Sequence, residues 1–169
     1  MTMDRPTPPM LADERQTLEG WLDFYRATLA TKCAGLDDEQ LRTAAAPPSP
    51  LTLLGLVQHM AEVERNWFRR VLADEDAPAI YPDRNATPGH DGGFGLSAGS
   101  TFAAAEATWR QEIEHARANC AGRALDDTGS FAAGEVTLRW IFTHMVGEYA
   151  RHCGHADLIR ERLDGVTGV

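Results

Sequence analysis

Lysine is almost missing from this chain: Lys32 is the only one, and arginine supplies the rest of the basic charge. Basic residues are also too few overall, 16 against 25 acids, leaving a formal net charge of −9. A molecule of that sign repels phosphate backbones, and no basic stripe interleaved with aromatics offsets it, so no nucleic-acid role is expected. Cysteine is scarce too. Cys33, Cys120 and Cys153 are odd in number, widely spaced and without a CxxC pair, which argues against a disulfide framework and against a thiolate zinc site. No apolar run reaches the roughly 18 residues that a membrane span needs. The first ten residues, MTMDRPTPPM, put acid and proline where a signal peptide needs a basic start and an apolar stretch. The expected setting is the cytoplasm.

Other signatures are absent as well. There is no internal repeat, no GxSxG elbow, and no Walker or dinucleotide glycine pattern. GHDGGFG is glycine-rich, but it neither follows a strand nor opens a helix, so it is weak as a phosphate loop. Strand signals are limited to GSFAAGEVTL, which has room for one short extended pair.

What the sequence does contain is helical periodicity. At 169 residues and 43% hydrophobic, the chain suits a single domain with a continuous core, residues 1–10 expected to be flexible. Four stretches carry apolar residues at helical spacing. The first covers about residues 12–34, with Leu18, Trp21, Leu22, Tyr25, Thr28 and Leu29 on one face and Gly35 just past its end. The second starts near Ser49 or Thr52 and runs to about Ala73, with Leu53, Leu56, Val57, Met60, Val63, Trp67 and Val71 as its stripe. The third runs from about Ser100 to Gly122, and the fourth from about Thr137 to Leu163. Trp21, Trp67, Trp109 and Trp140 fall within these stripes and are expected in the core. The connection at about 74–98 is far longer than an antiparallel hairpin requires. A crossover of that length predicts that the second and third helices run parallel. The expected fold is therefore an all-α four-helix bundle with a long crossover between helices two and three.

Chemistry concentrates on the fourth helix. In THMVGEYARHCGH, His144, Glu148 and His152 are spaced by four and His155 follows three later, so all four lie on one side. Glu148 and His152, one turn apart, can reach a single point. Two ligands at i and i+4 are a common way for a helix to hold a metal. On the second helix, His59 sits between Leu56 and Met60, within or beside the apolar sector. Taken alone, His59 reads more readily as a satisfied core histidine than as a ligand, and Glu148 with His152 can be read as an ordinary i,i+4 pair on a solvated face. Taken together they make two imidazoles and a carboxylate, a set suited to zinc or to nickel, iron or manganese. Three protein ligands leave a position for water or substrate, the catalytic arrangement. His90 and His115 read as solvated, and Asp157, Arg160 and Glu161 as an ion-pair network fixing the C-terminus, worth little energetically if exposed.

LLGLVQHMAEVERNWF and THMVGEYARHCGHADLIRERLDGVTG, with the order of four helices, resemble the DinB superfamily. Within it the closest likeness is to the DUF664-type branch, which is similar to mycothiol-dependent maleylpyruvate isomerase and to thiol S-transferases. The resemblance implies a divalent metal, zinc or nickel foremost, on His59, Glu148 and His152. Glu148 stands where many members have histidine. His155 either serves as a fourth ligand or hydrogen-bonds a ligand or substrate; His144 is expected to be mainly structural. The resemblance also implies a low-molecular-weight thiol (mycothiol or bacillithiol) as cofactor and a small electrophile as its partner. Arg139, Arg151 or a residue of the long loop would hold the thiol's polar groups. The competing expectation is a non-catalytic metal-binding or stress-response bundle, which a homodimer would suit.

Overall fold

The computed structural model describes residues 4–82, 92–132 and 134–168. His90 and part of the long crossover lie outside these. The elements are α1 (Glu14–Cys33), a single-turn α2 (Asp38–Leu41), α3 (Leu53–Glu64), α4 (Phe102–Cys120), β1 (Thr128–Phe131), β2 (Gly134–Thr137) and α5 (Leu138–Asp164). A π-helical segment, Arg65–Val71, continues α3 without a break. The four long helices occupy the four periodic stretches, and the hairpin falls in GSFAAGEVTL. Among the described residues no helix is long and apolar enough to cross a membrane. Tertiary contacts gather the chain into two compact units, Met1–Leu53 with Phe142–Val169, and Leu54–Ile141.

In the first unit, α1 begins where the Asp13 side chain accepts from the Gln16 backbone N–H, and it stops before Gly35, whose φ of 77° takes the chain out of the helix. Arg5 lies over the Phe24 ring, 4.8 Å from its centre, and Pro8 is buried. The buried face of α1 is more polar than its apolar spacing suggests, since Arg26 and Lys32 are each only 3% exposed. Asp157 of α5 approaches the Lys32 ammonium at 2.7 Å, and the Gly168 carbonyl also accepts from it. Arg160, 9% exposed, donates to the Lys32 and Ala34 carbonyls at 3.1 and 2.7 Å and pairs with Asp164. The Asp157 and Arg160 pairs thus form the expected network, with its basic members buried rather than exposed. They satisfy the open carbonyl end of α1 and neutralise a buried ammonium, where a missing partner costs far more than at the surface. Trp21 is 41% exposed, stacked on Tyr25 at 5.7 Å, rather than enclosed in the core.

In the second unit, the predicted stripe of α3 is buried throughout: Leu56, Val57, Met60 and Val63 are fully covered, and Trp67 and Val71 are 5% exposed. The π turn shows in the Leu72 N–H, which donates to the Trp67 carbonyl five residues back. Thr101 caps α4 by accepting from the Ala104 N–H. Side-chain bonds between the two helices advance in step: Gln58 with Ser100, Arg65 with Glu112, Asn119 with the Phe68 carbonyl. Both chains therefore run the same way, as the length of the crossover predicted.

The π turn carries three arginines that fasten this unit. Arg65 donates to Glu112 at 2.6 Å and to the Pro78 carbonyl at 2.8 Å. Arg69 reaches Glu75 at 2.6 Å and Glu112 at 3.3 Å, and Arg70 reaches the Ala77 carbonyl. Hydrogen bonds from Asn119 and then Arg69 hold the Glu75 carboxyl below its usual range. The start of the crossover is thereby tied to α3 and α4. Trp140, 46% exposed, was expected in the core but instead completes a ring cluster with Trp67, itself against Phe131.

Hairpin packing turns on one glycine. A Cβ at Gly129 would lie 2.3 Å from the Val71 carbonyl oxygen and 2.8 Å from the Leu72 Cα, both backbone atoms. Gly129→Ala should therefore destabilise the protein by about 1–3 kcal/mol, the usual cost of forcing an extra carbon into a filled space. Urea denaturation checks this; an unchanged midpoint would mean that β1 is free to shift.

Candidate metal centre

On α5, one turn of helix separates each member of the acid–imidazole series. His152 Nε2 lies 3.4 Å from Glu148 Oε2, and His144 Nε2 lies 3.8 Å from Glu148 Oε1. His152 is nearly buried and the Glu148 side chain is 18% exposed, so this carboxylate is not a freely solvated surface acid. Arg151 reaches Glu148 only at 4.0 Å and is 69% exposed. His155 meets His152 through their Nδ1 atoms at 3.3 Å, with the rings edge to face. It therefore addresses the ring nitrogen that Glu148 does not. The helical spacing of four, four and three produces this order directly.

On α3, His59 is buried at 5% exposure among the apolar residues of its stripe. The Gly92 carbonyl lies 3.0 Å from its Nδ1. A carbonyl oxygen can only accept, so this contact places a ring proton on Nδ1 and, in the neutral ring, leaves the lone pair on Nε2. The Phe94 ring stacks on the imidazole at 4.0 Å and 19°. Next to it, Gln58, with its amide oriented to satisfy its neighbours, donates to the Gly93 and Gly95 carbonyls at 2.9 and 3.2 Å and accepts from Ser100 Oγ. GGFG, weak as a phosphate loop, is in fact packed on the helix at His59. Its partner stands 33 residues away in sequence, so no local pattern announced it. The same unit holds a cavity of about 420 Å³ lined by Tyr81, Leu96, Ser97 and Ser100 and by the backbone of Gly93 and Gly95.

His59 in the second unit, and Glu148 and His152 in the first, each offer one ligand atom that could serve a metal ion. The donor chemistry fits a first-row divalent ion: two imidazoles and one carboxylate, with the tautomer of one imidazole already favoured by a backbone carbonyl. His144 and His155 stand beside this group on α5, while Arg139 pairs with Asp126 in the second unit.

The mostly helical fold is that of the DinB-like class. The match is narrower than the class. The model of the mycothiol S-transferase family matches residues 17–165, nearly the whole chain, and the chain belongs to that family. No curated protein matches it.

Proposed function

We propose that this protein joins a mycothiol-type thiol, through its sulfur, to a small electrophile, with a divalent metal held by His59, Glu148 and His152. The donor group, found in a chain of the mycothiol S-transferase family, is the observation that carries this reading. A divalent ion bound there would supply the positive charge that lowers the pKa of a thiol near neutral pH. The chain's own residues do the rest. Gly92 holds the His59 proton on Nδ1, so that the Nε2 lone pair is the one on offer. Glu148 contributes the negative charge of the donor set, and His155 backs the His152 ring from its other nitrogen.

The cysteines point the same way. Cys33, Cys120 and Cys153 are 2%, 5% and 4% exposed. Burial, with Asp157 nearby, pushes the Cys153 thiol up to about 12, so it carries essentially no thiolate at neutral pH. A buried, protonated cysteine is a poor nucleophile, and the reacting sulfur on this reading comes from a separate thiol molecule.

With an alkyl bromide as electrophile, the thiol proton passes to the buffer, a sulfur–carbon bond forms, and bromide leaves with its bonding pair. Zinc- or nickel-loaded protein, mixed with mycothiol and such a bromide, should form thioether well above the rate without protein, and chelation should remove the excess. A rate equal to the protein-free reaction for mycothiol, bacillithiol and glutathione alike would overturn the proposal.

A further inference from the structure

Residues 92–95 constrain His59 in more ways than one hydrogen bond accounts for. The Gly92 carbonyl, 3.0 Å from Nδ1, selects the tautomer. Phe94, stacked at 4.0 Å, blocks the ring from rotating about its bond to Cβ. Gly93 makes the close approach possible: its φ is +102°, and a Cβ there would come within 2.7 Å of the His59 backbone nitrogen and 2.8 Å of its Cα. Those are helix backbone atoms and cannot yield without moving α3. Gln58 then ties the carbonyls of Gly93 and Gly95 to the same turn of helix.

We propose that this Gly92–Gly93–Phe94–Gly95 segment is a positioning collar for His59, fixing its tautomer and ring angle before any ion arrives. The proposal rests on the reading of His59 as a metal donor. A donor held in its binding geometry has little ordering left to undergo, and partners of this kind change metal affinity by about 10–100-fold when lost. Gly93 and Phe94 are positioning residues on this account. They offer the metal no ligand atom of their own, and they act only through the imidazole.

Long-range proton–nitrogen NMR of the metal-free protein tests the collar without any ion, with His59→Ala identifying the His59 signals. In the wild type His59 should show the Nδ1–H tautomer. In Gly93→Ala the carbonyl is displaced, and the pattern should move to the Nε2–H form or to an average of the two. Zinc affinity, measured by calorimetry, should fall by about 10–100-fold in Gly93→Ala. Phe94→Ala removes a ring that is 37% exposed, so it leaves the core filled and serves if Gly93→Ala does not fold; its zinc affinity should fall about tenfold.

A wild-type Nε2–H tautomer would overturn the collar. So would wild-type zinc affinity in both variants while His59→Ala loses it, and in that case His59 would remain a donor. A wild type that binds no zinc would instead remove the metal reading itself, and the collar with it.

Discussion

His59→Ala and His152→Ala should each lower zinc affinity by more than about 100-fold, beyond the about 10–100-fold lost when only a supporting hydrogen bond is removed. Each substitution leaves two protein donors, and two donors hold a first-row ion poorly against water and buffer. The variants should behave alike although they lie on different helices, because each deletes one ligand of a single set. His144→Ala should differ. His144 approaches Glu148 at 3.8 Å and is not one of the three proposed donors, so its loss should leave zinc bound within about tenfold of the wild type. Calorimetric titration of the three variants checks the ranking. Equal losses at His144 and His152 would mean that the α5 ligand pair is His144 with Glu148.

The second large effect falls on stability. Glu112 has no exposed side-chain surface, and its charge is met by Arg65 at 2.6 Å and Arg69 at 3.3 Å. Arg65→Met leaves the carboxylate buried with the longer contact alone and should cost about 3 kcal/mol, the lower end of what breaking a buried pair costs. The double variant Arg65→Met/Glu112→Leu removes the charge as well. Arg69 still has Glu75 at 2.6 Å, so the double variant should be more stable than Arg65→Met alone. Urea denaturation of the two variants decides it. A double variant less stable than the single would show that Glu112 acts through packing rather than through its charge.

Where contacts are local in sequence, the sequence was legible. The four long helices follow from apolar spacing, and the parallel run of α3 and α4 follows from the length of the chain between them. The Glu148–His152 pair follows from i,i+4 geometry, and the position of His59 from its place in a buried stripe. What the sequence hid depends on partners far along the chain. Lys32 is the one lysine, yet nothing around it signals that it would be buried against Asp157, 125 residues on. Arg160 was expected in an ion-pair network fixing the C-terminus, but nothing in the sequence showed that it also closes the end of α1. The π turn is invisible to periodicity, because Val63, Trp67 and Val71 keep a spacing of four across it. Trp21 and Trp140 obey helical spacing as core residues do, but a face can share that spacing and still reach solvent. GGFG was uninformative for a simple reason. Glycines that admit a phosphate and glycines that admit a helix backbone look the same in sequence.

The most direct test of the metal site is the metal content of the purified protein after exposure to zinc or nickel and removal of excess ion. Elemental analysis should find close to one divalent ion per chain in the wild type and essentially none in His59→Ala or His152→Ala. A folded wild type that retains no metal, or equal retention in all three proteins, would contradict a centre built on His59, Glu148 and His152.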